Sequence, residues 1–270
     1  MYQFAMIRAL IVCAFLQICS QPDAYAAEPT CGPYVVAFYE LGSLYYRSET
    51  TGYIGIDKDI IDELARRTHC TFTPVLESRV RIWSHLKDGT LDMTVSGIKT
   101  PEREQFGRFI IYFKSSNYLL VRHHPDESVN SLQSFINHPK YRLAIVRSFK
   151  HGEKIDSAIE ELKKQGRVDE YADAEMVARM LSIGRADAMF SMPVAWGPLI
   201  SRNRLKDDLD FLNVSNDPPL LHGIVLSRQR IPPEIVDRLS NAMDEMRKDG
   251  SLEAIYQRYL PADIAKNMLP

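Results

Sequence analysis

Strand-like runs and amphipathic helical segments alternate almost without interruption from Tyr34 to Tyr259, a pattern that admits few architectures. β-Prone runs at 34–39, 71–76, 91–98, 141–146, 186–192 and 221–226 are separated by helix patterns. In 57–69, Ile60, Ile61, Leu64 and Ala65 make an apolar stripe and Asp57 is placed to cap. Residues 82–88 read as a short helix closed by Gly89, 101–106 as a turn with proline first, and 110–121 as one long extended stretch. Further on come helices at 132–137 and 153–165, a brief strand at 167–171, a helix capped by Asp173 and ended by Gly184, and a polar loop at 213–219. An amphipathic helix over 233–248, stopped by Gly250, precedes a last helix at 252–259. Strands separated by helices imply an α/β fold with a mostly parallel sheet covered on both faces.

Residues 1–26 contain Arg8, an apolar run over 9–19, a polar break over 20–23 and then Ala24-Tyr25-Ala26, the anatomy of a secretory signal peptide cleaved after Ala26 or Ala27. The apolar run falls short of the roughly 20 residues that span a bilayer. Ile18 before Cys19 and Val12 before Cys13 do not suit lipidation. The expected location is the periplasm. Losing Arg8 and Asp23 together leaves the net charge at −2, without the basic field that nucleic-acid binding uses.

Cys31 and Cys70 remain after cleavage, an even pair in an oxidising compartment. Each stands just before a strand run, and parallel neighbouring strands of a βαβ unit would bring those starts together. A Cys31–Cys70 disulfide is predicted, with two free buried thiols as the alternative.

Several short motifs occur in order and at matching spacing: Gly55-Ile56-Asp57-Lys58-Asp59-Ile60, Leu86-Lys87-Asp88-Gly89-Thr90-Leu91-Asp92-Met93, Thr100-Pro101-Glu102-Arg103, Gly184-Arg185-Ala186-Asp187-Ala188, and Lys248-Asp249-Gly250-Ser251-Leu252 running on to Ile255-Tyr256. On these the chain resembles the periplasmic solute-binding proteins of family 3, the polar amino-acid type that serves ABC transporters. The resemblance implies a type II periplasmic binding protein-like fold with two hinge strands. Lobe 1 would comprise 28–116 plus 223–270, and lobe 2 would comprise 117–222. It further implies a monomer that closes on a small carboxylate-bearing ligand and delivers it to an inner-membrane ABC permease, with no cofactor and no metal.

The resemblance also assigns candidate site residues. Arg103 would grip the ligand carboxylate, as a guanidinium fork suits two carboxylate oxygens; the alternative is a surface arginine paired with Glu102 or Glu104. Arg103→Ala is accordingly expected to abolish binding with little effect on the unliganded melting temperature. Ser96 and Gly97 would complete the anion pocket, and Tyr39 or Tyr45, flanking Glu40, would cover the ligand. Arg79, at a position where relatives often carry an aromatic or aliphatic ligand contact, would with Arg147 and Ser148 add positive charge and donors from both lobes, favouring an anion; the alternative is that Arg79 and Arg147 are solvated loop residues. Trp83 and Phe149 are either cleft or core.

Two positions depart from the pattern. Ile98 stands where amino-acid binders commonly have a hydroxyl, and Met192 where they place an aspartate for the ammonium group. Either Glu40 or Asp187 substitutes, or the ligand has no α-ammonium. Two rival functions share the fold. A periplasmic dehydratase-like enzyme would need an acid/base pair such as His151 with Glu153 or Glu40 with His222, which no spacing demands, so no catalytic residue is assigned. A ligand sensor or accessory protein for a receptor or enzyme would use the same clamp.

Overall fold

The computed structural model describes residues 31–123, 129–205, 208–214 and 218–270. The signal-peptide reading of residues 1–26 lies outside them. The first half contains β1 (Tyr34–Phe38), β2 (Tyr46–Ser48), β3 (Gly52–Ile54), α1 (Ile56–Thr68), β4 (Phe72–Leu76), α2 (Arg79–Lys87), β5 (Met93–Ile98), α3 (Pro101–Glu104) and β6 (Gly107–Ser115). There follow β7 (Tyr118–Arg122), α4 (Leu132–Asn137), β8 (Leu143–Val146), α5 (Glu153–Lys164), β9 (Val168–Tyr171), α6 (Ala174–Ser182), β10 (Ala188–Ser191), α7 (Pro193–Arg202) and β11 (Leu209–Asn213). The chain closes with β12 (Leu220–Ser227), α8 (Pro233–Lys248), α9 (Ser251–Gln257) and α10 (Ala262–Met268).

The expected parallel sheet is in fact two mixed ones. The first runs β4-β1-β5-β12-β6 and the second β11-β7-β10-β8-β9, with β2 and β3 a separate hairpin. In the first, β1 is parallel to β4 and β5, while β12 runs antiparallel to β5 and β6. In the second, β10, β8 and β9 are parallel and β7 runs antiparallel to β10 and β11. The chain passes from one sheet to the other between Ser115 and Tyr118, and returns between Asn213 and Leu220. The stretch 110–121 is thus two strands, broken at Ser116 and Asn117.

β5 is buried at every position, as a central strand covered on both faces must be. Ile56, Ile60, Ile61 and Leu64 form the buried stripe of α1. Cys31 and Cys70 are bonded, their Cα atoms 4.5 Å apart. They sit at the starts of β1 and β4, where Thr71 N–H donates to the Cys31 carbonyl at 2.8 Å and Tyr34 N–H to that of Thr71 at 2.9 Å.

Asp57 is not the cap of α1. Gly55 holds that place at φ 138°, with no side-chain cap, and Asp57 lies inside the helix with its carboxylate buried. Helix α2 begins three residues earlier than the apolar pattern suggests, capped by Ser78. Elements absent from the sequence reading are the β2–β3 hairpin, α7, β11 and α10. Helix α7 follows buried β10 with no polar break and carries Gly197 and Pro198 inside it, so its 3.6-residue period is obscured.

Candidate functional site

In each sheet the parallel strands end toward the same place, and side chains just beyond those ends converge, as is usual in open α/β sheets. Tyr39 follows β1, Arg79 opens α2 after β4, and Phe149 follows β8. With Glu40, Leu76, Asp173 and others they line a cleft of about 270 Å³ between the strand ends of the two sheets.

Arg79 is 4 % exposed, and its guanidinium lies against two rings. Its Cζ is 4.3 Å from the Tyr39 ring centre and 4.6 Å from that of Phe149; none of its three nitrogens makes a hydrogen bond of regular geometry among the described residues, although the guanidinium acts on the Tyr39 hydroxyl, opposing the rise in pKa that burial causes there. Cation–π contact of this kind is worth up to about 2 kcal/mol when desolvated, but it uses none of the five N–H donors.

Arg103 is 5 % exposed and fully engaged. It donates to the Ile98 carbonyl at 3.0 Å and to the Ser148 carbonyl, across the cleft, at 3.0 Å, and its Cζ sits 3.6 Å from the Trp83 ring centre. Burial, and then the nearby Arg79, lower its pKa to about 9. Trp83 is therefore a platform for Arg103. A second bridge joins the same two regions: Ser43 N–H donates to the Val194 carbonyl at 3.1 Å. Gly42, at φ +52°, lies so close to Ala195 that a Cβ there would fall 2.2 Å from its carbonyl oxygen.

Beneath the cleft lies a buried polar knot. The Ser96 hydroxyl donates to Asp57 at 2.8–2.9 Å, the Tyr112 hydroxyl donates to Asp57 at 2.5 Å, and Ser96 N–H donates to the Tyr112 hydroxyl at 2.7 Å. The Ser96 carbonyl, in turn, accepts from Tyr39 at 3.1 Å. Ser96 holds φ +50°, a left-handed conformation in which this knot fixes it. Burial raises the Asp57 pKa to about 7 against the lowering effect of Tyr112 and Ser96.

Other sequence candidates are placed differently. The side-chain and backbone donors of Ser96 are directed to the knot. Gly97 permits close packing: a Cβ there would meet Val225 at 2.2 Å and Trp83 at 3.2 Å. Tyr45 is stacked between Phe38 and Tyr53, centroids 4.5 and 5.0 Å away. Arg147 is half exposed with its Nε 3.9 Å from Glu170, and it is the carbonyl of Ser148, at φ +61°, that reaches the cleft arginine. Glu40 is exposed on the rim, Met192 is buried in the apolar core, and Asp187 accepts from Arg142 N–H at 2.7 Å.

His151 and His222 are buried, and burial lowers each pKa to about 3. His222 Nε2 is 2.7 Å from the Ser115 hydroxyl and its ring stacks on Phe113; His151 stacks against Phe149 and Phe190, with Nδ1 3.4 Å from the Asn117 side chain.

These three groups set a pH profile. Asp57 keeps in the fold a proton that the unfolded chain loses near pH 3.8, so its contribution is full below that pH and is lost as pH rises through 7. The histidines, unprotonated in the fold and titrating near 6.5 when unfolded, contribute fully above 6.5 and lose that contribution as pH falls toward 3. Between about pH 4 and 6.5 two histidines outweigh one aspartate, so stability should rise by roughly 1 kcal/mol per pH unit, then decline toward pH 7. Asp57→Asn should steepen the first limb and remove the second. Melting temperatures from pH 4.5 to 8 check this; superimposable profiles of parent and variant would contradict it.

The family profile described as bacterial extracellular solute-binding proteins, family 3, matches residues 41–262. Comparison with curated protein sequences gives no match. Among solved structures, a histidine kinase sensor domain with similarity to periplasmic binding proteins is similar at 16% identity and a TM-score of 0.72, covering 86% of this chain and 98% of that one. The arginine-, lysine-, histidine-binding protein ArtJ from Geobacillus stearothermophilus gives 15% identity, a TM-score of 0.71, and coverage of 84% and 95%. The ancestral amino acid-binding protein AncCDT-1, a precursor of cyclohexadienyl dehydratase, gives 19%, 0.68, and coverage of 84% and 94%. At these identities the likeness is one of fold, the two-sheet architecture of type II periplasmic binding proteins. Among the described residues, no helix is long and apolar enough to cross a membrane.

Proposed function

The chain belongs to the bacterial extracellular solute-binding proteins, family 3, and from that premise we propose that it is a periplasmic clamp for a small carboxylate-bearing solute, which it delivers to an inner-membrane ABC permease. Lobe 1 would be 28–116 plus 223–270 and lobe 2 would be 117–222, a monomer hinged at the two chain crossings. The observation that carries the reading is Arg79: a buried guanidinium in the cleft, against two aromatic rings, whose three nitrogens have no hydrogen bond of regular geometry among the described residues. A cation so placed needs an anion. Arg103 would join it by exchanging the Ser148 carbonyl for a ligand oxygen as the lobes part and close. Tyr39 would cover the ligand, with Ser96 and Tyr112 acting from behind to hold Tyr39 in place.

The fold is also that of a histidine kinase sensor domain, which keeps a sensor or accessory role as the second reading. For catalysis on this fold an acid/base pair must face the cleft. His151, His222 and Asp57 are not among the residues that line the cleft, and Asp57 is held by Ser96 and Tyr112, which favours binding without chemistry.

A thermal-shift screen of residues 27–270 against amino acids, organic acids, sugars and polyamines tests the reading. A carboxylate-bearing solute at about 100 times its Kd should add roughly 2.7 kcal/mol, a shift of several degrees. A response confined to sugars or polyamines would overturn it. Co-purification with a permease rather than a receptor kinase would separate the transporter from the sensor role.

A further inference from the structure

We infer that the solute carries two anionic groups and no amine, as a short dicarboxylate does; this deepens the carboxylate reading and rests on it. Arg79 and Arg103 are both buried, and they touch adjacent residues of one loop of the second sheet: the Phe149 ring lies 4.6 Å from the Arg79 Cζ, and the Ser148 carbonyl accepts from Arg103 at 3.0 Å. Two guanidinium charges therefore converge on one short segment. Their proximity is registered in the lowered pKa of Arg103, of which burial is the larger cause and Arg79 the next.

Neither charge is neutralised by a carboxylate bonded to it. Arg103 is bonded to two carbonyls, and Arg79 makes no hydrogen bond of regular geometry among the described residues. The acid beneath the cleft, Asp57, is occupied by Ser96 and Tyr112. On the cleft wall Glu77 accepts from Ser78 N–H and Arg81, and Asp173 caps α6 through Met176 N–H. The charge complementary to the buried end of the site is about −2, and an ammonium group there would lie beside two cations, since the cleft acid without a bonded partner among the described residues, Glu40, stands on the exposed rim.

Shape narrows the class further. The Tyr39 and Phe149 rings lie within 4.6 Å of the Arg79 guanidinium carbon, so a ligand meets the guanidinium where the rings leave it open, and a planar carboxylate suits the edge of the fork. A cleft of about 270 Å³ lies at the small end of ligand sites, near 300 Å³, and suits a metabolite rather than a peptide.

Titration calorimetry on residues 27–270 would compare succinate and glutarate with aspartate and glutamate, the matching skeletons plus an amine, and with butyrate, which has one carboxylate. One of the amine-free diacids is expected to bind at least about tenfold more tightly than its amino counterpart and than butyrate. Arg79→Gln should cost that diacid roughly 10- to 150-fold, with an unliganded melting temperature no lower than the parent's. Tighter binding of aspartate or glutamate, or equal binding of butyrate, would overturn the inference and leave the carboxylate clamp standing. Binding of none of the five would overturn the inference, and the carboxylate clamp would fall with it if the wider screen responded to sugars or polyamines alone.

Discussion

Replacement of Arg103 by alanine is expected to abolish solute binding, lowering affinity more than about 100-fold, and to destabilise the unliganded protein as well. The second half of that result differs from the expectation drawn from sequence, in which a ligand-facing arginine is dispensable to the fold. The side chain is buried, spans from the Ile98 carbonyl to the Ser148 carbonyl, and lies flat on Trp83. Its removal leaves two carbonyls without donors and an empty shelf above an indole, a cost of roughly 2 to 4 kcal/mol. For a domain of this size that corresponds to a melting temperature lower by about 5 to 10 °C. Arg103→Lys keeps a charge but not the fork, and should recover part of the stability and little of the affinity. Calorimetric unfolding and titration of the two variants separate the effects; parental affinity in Arg103→Ala would remove this residue from the site.

Loss of the Cys31–Cys70 bond should have the largest effect on stability alone. It closes a loop with a sequence separation of 39, and the chain-entropy estimate for such a loop is roughly 4 kcal/mol. The bond ties together the starting ends of β1 and β4, whereas the cleft forms beyond their finishing ends. Paired Cys→Ser replacement should therefore lower the urea midpoint markedly and leave solute affinity within about twofold. A large loss of affinity at unchanged stability would mean that the strand starts and the cleft are coupled in a way this fold does not suggest.

The alternation of strands and helices and the boundaries of α8 were legible because each depends on neighbours in sequence, and the disulfide because two cysteines alone remain after the signal segment and each stands at a strand start. What was not legible depends on partners far along the chain. An aspartate ahead of an apolar stripe reads as a helix cap; Asp57 is a buried acid because Ser96 and Tyr112, 39 and 55 positions away, close over it. Arg79 looks like any arginine at a helix start until Phe149 arrives from the other sheet. Arg147 and Ser148 are adjacent, yet the first turns outward to Glu170 and the second turns its carbonyl inward, a choice made by the positive φ of Ser148 and by no property of the arginine. Of the two tyrosines flanking Glu40, Tyr39 reaches the cleft while Tyr45 is stacked against Phe38 and Tyr53, and only the hairpin of β2 and β3 decides between them. Position 192 signalled its departure from the family pattern in sequence, and in the fold Met192 lies in the apolar core.

The most direct measurement is a crystal structure of residues 27–270 grown with the acid that stabilises the protein most. That acid is expected between the two sheets, with one carboxylate on the Arg79 guanidinium beside Tyr39 and Phe149, and Arg103 turned from the Ser148 carbonyl to the ligand. An acid bound elsewhere on the surface, with Arg79 still unpartnered beside its two rings, would contradict this placement.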